Sequence, residues 1–183
     1  MSGLGHNGGP AMQPGVAWRT HCWRAARAQL LPILPIEVVR LRVKRARDLG
    51  LEYKTYASVR AATGHDLIAF LFSSNALRLV RGRATLPLDR AEKLDAMTCA
   101  RIALAVAPLS PQAVLMNLQI DAAHPALFAL AKFSEARATI RAALGKVPGD
   151  RVWLVGDLAL ERDWCAAGRL AGYLSAERFF ATP

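Results

Sequence analysis

The sequence predicts a mainly α-helical protein, a multi-helix bundle with a helix-turn-helix-like unit near its N-terminus. Three observations lead there. Hydrophobic residues make up 53% of the 183 and charged residues 21%, enough apolar material for a core and too little charge for disorder throughout. From Val16 onward apolar side chains recur at helical spacing, and the period-two alternation of half-buried strands is nearly absent. Proline and glycine stand where such helices would begin and end.

Residues 1–15 hold five glycines and two prolines, which favour a flexible tail over any regular element. Val16 to Leu31 is then a first helix, stopped by Pro32. Pro35 starts a second over Ile36 to Leu49, and Gly50 ends it as a C′ residue. Tyr53 to Thr63 follows, closed by Gly64. Asp66 can cap a very apolar helix reaching about Val80. The stretch RGRATLP is a basic loop, and residues 81–87 mark a boundary between two units, 16–80 and 86–183. In the second unit helices are expected over Asp89 to Val106, Pro111 to Leu118 and Pro125 to Leu144. Within Arg151 to Phe180, VWLV reads as a helix turn, with a short strand as the other possibility, ahead of ERDWCAAGRLAGYL and SAERFF. Gly168 and Gly172, four apart, would let helices approach closely.

The net charge is +10 and the isoelectric point about 10.4, a surplus that attracts polyanions. It is concentrated early: residues 1–50 carry eight Arg/Lys against two Asp/Glu, residues 51–100 seven against five, and residues 101–183 nine against seven. On the helix from Ile36 to Leu49, Arg40, Lys44 and Arg47 lie together at i, i+4 and i+7, opposite a broad apolar side. Arg19, Arg24 and Arg27 extend the same basic surface in the helix before.

The stretch ARDLGLEYKTYASV, Ala46 to Val59, follows that stripe. Ala46 is small where two helices would cross, Gly50 stands four positions later, and Leu51 follows as an apolar anchor. Tyr56 and Val59 fall where a second helix would face inward. The stretch resembles the bihelical unit of helix-turn-helix repressors. That resemblance implies base contacts by Tyr53, Lys54, Ala57 and Ser58, and phosphate contacts by Arg40, Lys44, Arg47, Thr55 and Arg60. Arg45 departs from the pattern, standing where an apolar residue is usual. A second register over YASVRAATGHD would make LIAFLFSSNAL the recognition helix, which is too apolar for a groove. The opening GLGHNGGP resembles a short N-terminal tag that recurs on small alphaproteobacterial proteins, many of them prophage-associated.

Phe70, Leu71 and Phe72 cover more than half of their expected helix, which points to a dimer interface or a contact between the two units. Trp18 and Trp23, five apart in the first helix, point in different directions. Catalytic signals are sparse. His21 and Cys22 are adjacent and diverge on a helix, and His65 and His124 sit at expected helix starts. Asp157 and Glu161 can share a helix face, where salt bridges to Arg162 or Arg169 account for the acids better than a metal does. Walker A, GxSxG and HExxH are all missing from the sequence. Cys22, Cys99 and Cys165 are odd in number and scattered, so neither a disulfide framework nor a zinc site is expected. The start has no secretory character and no run of about 18 apolar residues occurs, so the expectation is a cytoplasmic protein outside the membrane.

The function these features imply is sequence-specific binding of duplex DNA by a homodimer, as a transcriptional regulator of phage-like genes, with neither enzyme activity nor cofactor. The C-terminal helices would carry oligomerisation or a protein partner. The alternatives are a protein-interaction adaptor or phage assembly subunit with a basic docking face, and an RNA-binding protein.

Overall fold

A computed structural model describes residues 34–128 and 131–181. The described residues from Arg40 onward belong to one compact unit. The expected tail, the helix Val16 to Leu31 with its Arg19, Arg24 and Arg27, and His6, His21 and Cys22 lie outside the described residues. Helix α1 spans Ile36–Asp48 and α2 spans Tyr53–Thr63. Strands and helices then alternate: β1 (Ala69–Ser73), α3 (Leu88–Asp95), β2 (Ala100–Ala105), α4 (Pro111–Leu115), β3 (Ala122–Pro125), α5 (Phe133–Leu144), β4 (Val152–Gly156), α6 (Glu161–Gly168), β5 (Gly172–Ser175) and α7 (Ala176–Ala181).

The five strands form one sheet in the order β3-β2-β1-β4-β5, and every neighbouring pair is parallel. Parallel neighbours cannot be joined by a tight turn, so each needs a crossover, and the intervening helices supply it. Those helices bury both faces of the sheet. Phe70 and Phe72 of β1, with Trp153 and Val155 of β4, enter one cluster with Leu49, Tyr56, Leu94 and Phe179. Ala69 and Leu71, with Val152 and Leu154, enter the other with Ile140 and Leu144 of α5 and Ala167 of α6. Ala103 and Ala105 of β2 lie on the first side and leave room for rings. Phe179 fills that room, its centroid 5.4 Å from Phe70 and 5.6 Å from Phe72.

This architecture corrects the expected all-helical bundle. The helix expected from Asp66 to Val80 is β1 followed by turns, and that from Asp89 to Val106 is α3 followed by β2. VWLV belongs to β4, and the start of the helix expected from Pro125 is the end of β3. The reason is burial on both faces. A strand covered above and below carries apolar residues on both faces, as Ala69 to Phe72 of β1 and Val152 to Val155 of β4 do, so its period of two is hidden. In β2 the run ARIALA adds helix-favouring Ala and Leu, so local propensity opposes the tertiary outcome.

Phe70, Leu71 and Phe72, expected at an interface, sit in the central strand at 0% exposure, covered by their own chain. Residues 81–87, the expected boundary, join β1 to α3, and the strands on either side pair in one sheet. Gly168 does serve a close helix approach: a Cβ there would lie 2.7 Å from Cγ2 of Ile140. Gly172 serves a different one, opening β5 beneath the Trp153 indole. Among the described residues no helix is long and apolar enough to cross a membrane.

Candidate functional site

Helices α1 and α2 meet at Gly50, whose φ of 65° is left-handed and suits glycine. The Leu51 N–H donates to the Ala46 carbonyl at 2.9 Å and the Gly50 N–H to Arg47 at 2.9 Å. This is a Schellman turn, and its apolar pair is Leu51 and Ala46, both buried. Tyr56 and Val59 of α2 are buried in the same cluster. The hairpin is thus closed from inside by the residues at the helix crossing.

Its outward residues fall into two groups. On α1, Arg40, Lys44 and Arg47 are exposed. On α2, Lys54 and Ser58 are exposed one turn apart, with Ala57 half-buried between them. No ion pair among the described residues holds Lys44, Arg47 or Lys54. The remaining expected contacts have inward partners. Tyr53 packs against the core cluster. Thr55 Oγ1 accepts from Arg178 at 3.4 Å, and Arg60 lies 3.9 Å from Asp66. The Ser58 hydroxyl donates to the Thr55 carbonyl at 2.8 Å, a bond a ligand can replace.

Asp66, read from the sequence as a helix cap, precedes a strand and instead anchors this hairpin. Its carboxylate accepts from Arg45 Nε at 3.0 Å, from the Tyr56 hydroxyl at 2.9 Å and from its neighbour's Leu67 N–H at 3.0 Å. Arg45 also donates from Nη2 to the Leu67 carbonyl at 2.8 Å. Burial, followed by the bond to Asp66, raises the Tyr56 phenol above its usual range.

The second place of interest is set by topology. Strand order reverses between β1 and β4, and in open parallel sheets ligands collect outside the carboxyl ends of the strands at such a point. Here Ser73 ends β1, Gly156 ends β4, and Glu161 opens α6 at 1% exposure. Its carboxylate accepts from the Ser73 hydroxyl and from Asn75 Nδ2, both at 2.8 Å. It also accepts from the Asp157 N–H at 2.6 Å and the Leu158 N–H at 3.2 Å. Gly156 makes the space, since a Cβ there would lie 2.7 Å from Oε2 of Glu161 and 2.8 Å from Cε2 of Tyr173. Four donors converge on this carboxylate, three on Oε2 and one on Oε1, so it ties β1 to the loop after β4.

The acidic pair read from the sequence therefore separates. Asp157 is exposed in the loop, and Glu161 pairs with Ser73 and Asn75 in place of Arg162 or Arg169. Arg162 instead lies over the Tyr173 ring at 5.2 Å. The clue in the sequence is the polar SSN directly behind the apolar run LIAFLF, and the GD behind VWLV, since polar residues mark where a buried strand leaves the sheet. Beside this tie lies a crevice of about 210 Å³, lined by Asn75, Val106, Leu127, Phe128, Leu158 and Trp164 among others. Its walls are mainly apolar. Among the described residues no three His, Cys, Asp or Glu side chains come together.

Sheet order and switch point define the class: a doubly wound, all-parallel α/β protein carrying a helical hairpin ahead of β1. No protein-family model, no curated protein and no solved structure matches the chain.

Proposed function

We propose that this chain is a sequence-specific DNA-binding protein, a transcriptional regulator in which α1 and α2 form the contact and the α/β unit is their scaffold. One observation carries the reading. Lys44, Arg47 and Lys54 stay exposed around the Gly50 turn, without ion pairs among the described residues, while Arg45 and Arg60 beside them turn to Asp66. Basic side chains kept outward on a closed helical hairpin suit a phosphate backbone. Lys54 and Ser58 then offer donors to base edges, and Arg40, Lys44 and Arg47 set the position on phosphates.

A symmetric dimer is the form that reads two half-sites, and a second copy of the chain is the partner we assign to the exposed apolar rim. That rim comprises Phe128, Phe133, Leu158 and Leu160, which are 50–75% exposed around the clefts beside α5 and α6. A single species of twice the chain mass in sedimentation, reduced to the monomer by Phe128→Asp, supports this; a monomeric wild type overturns it.

The test of DNA binding is retention of duplex fragments at about 150 mM salt, where non-specific contacts are weak. The wild type is compared with Lys54→Ala/Ser58→Ala and Lys44→Ala/Arg47→Ala. The first variant is expected to lose preference among fragments. The second is expected to weaken all fragments alike and to reduce the salt slope by roughly two. Absence of any preferred fragment, with both variants matching the wild type, overturns the reading.

A further inference from the structure

A second basic surface lies apart from the hairpin stripe, and no motif in the sequence marks it. Arg137 and Arg141 stand one turn apart on α5, and Arg169 follows the end of α6. The three line one cleft of about 340 Å³ on the side where β4 begins. That volume lies at the small end of the range for small-molecule sites. No ion pair among the described residues holds any of the three.

The floor of this cleft is close-packed backbone. A Cβ on Gly149 would lie 2.6 Å from the carbonyl oxygen of Gly168 and 3.0 Å from that of Arg169, so only glycine lets the two segments touch. The Ala171 N–H donates to the Gly149 carbonyl at 3.1 Å and fixes the contact. Arg169 is itself held at φ 51° and ψ 45°, a left-handed conformation uncommon outside glycine. The arginines thus surround a floor with little freedom to shift.

Charge and lining select the occupant. The lining holds three arginines against one carboxylate, Asp150, whose Oδ2 lies 3.6 Å from Nε2 of His65. One carboxylate leaves the lining with an excess of positive charge, and a bound anion offsets that excess. The planar fork of arginine matches phosphate oxygens in pairs. Among the described residues no aromatic ring lines the cleft, so they offer no stacking surface for a base. We propose that this cleft binds the phosphate or diphosphate group of a small molecule, through Arg137, Arg141 and Arg169.

Calorimetric titration of the full chain with inorganic pyrophosphate tests this, beside Arg141→Ala/Arg169→Ala and Arg141→Lys/Arg169→Lys. Circular dichroism checks that each variant is folded. Saturable binding by the wild type is expected, weakened at least about tenfold in the alanine variant and less in the lysine variant, which keeps charge without the fork. No saturation up to about 5 mM pyrophosphate, or equal binding by wild type and alanine variant, overturns the proposal. A short duplex that binds through these arginines while pyrophosphate does not also overturns it, and shows the cleft to be part of a DNA surface. The hairpin variant Lys54→Ala/Ser58→Ala should leave pyrophosphate binding unchanged, so the two proposals fail separately.

Discussion

Arg45 reaches from α1 to Asp66, with Nε 3.0 Å from Oδ2, and the same side chain holds the Leu67 carbonyl just ahead of β1. The residue that breaks the helix-turn-helix pattern is therefore the strap between hairpin and sheet. An apolar residue at this position would leave Asp66 and the Leu67 carbonyl short of a donor.

Replacing Arg45 by alanine is expected to cost about 1–3 kcal/mol, the range for losing charge-assisted hydrogen bonds that are only partly exposed. Arg45→Met, which keeps the alkyl stem but not the donors, should lose nearly as much. Urea denaturation measures both. Hydrogen exchange should show α1 and α2 opening before the sheet, because the sheet keeps its own core. A variant as stable as the wild type would mean that the strap contributes nothing.

Glu161 supplies the opposite case, a carboxylate at 1% exposure. Glu161→Ala leaves four donors without an acceptor and should destabilise by about 3–5 kcal/mol. In Glu161→Gln one oxygen can still accept from Ser73, Asp157 and Leu158, and Asn75 can turn its amide to meet the new one. The expected loss is about 1–2 kcal/mol. Equal losses in the two variants would show that packing, and not the hydrogen bonds, accounts for the effect. Gly156→Ala should disturb the same tie, since its Cβ would meet Oε2 of Glu161.

Lys93 makes stability depend on pH. Its ammonium lies over the Phe179 ring at 4.8 Å and donates to the Phe179 carbonyl, and burial pushes its pKa from 10.5 down to about 8. Between those values the unfolded chain binds the proton that the folded chain has lost, so this group adds stability as pH rises from about 8 toward 10.5. Below about 8 the full cost of burying the charge remains. The thiols of Cys99 and Cys165 act the other way above their ordinary range, because burial raises both. The informative quantity is therefore the difference in Tm between Lys93→Met and the wild type. It should be largest at pH 7 and shrink by pH 10, and a constant difference would exclude titration of Lys93 as the cause.

Arg90 is 3% exposed, and its Nε and Nη1 have no hydrogen-bond partner among the described residues. The guanidinium rests 4.2 Å from the Phe180 ring centre, and burial, then the nearby Arg78, lowers its pKa. A buried charge so poorly compensated is commonly less stable than an apolar side chain of similar length. Arg90→Met is expected to raise stability by about 1–3 kcal/mol, seen as a higher urea midpoint. A loss of stability would mean that the ring contact and the nearby Asp157 outweigh the cost of burial.

The sequence by itself determined the local elements whose signals are local. The bounds of α1 and α2, the left-handed Gly50 and the inward turn of Ala46, Tyr56 and Val59 follow from capping chemistry and a period of 3.6, which neighbouring residues can express. The outward position of Arg40, Lys44 and Arg47 follows from the same period. Only the tertiary structure decided that LIAFLF, ARIALA and VWLV form strands. Two-sided burial removes the alternation that identifies a strand, and parallel pairing joins residues 31 and 83 positions apart where Ala69 meets Ala100 and Val152. Tertiary packing likewise brought Glu161 to Ser73, turned Arg45 toward Asp66, and gathered Arg137, Arg141 and Arg169 around one cleft. Such groupings depend on where distant segments meet, and a side chain's own neighbours in sequence carry no record of that meeting.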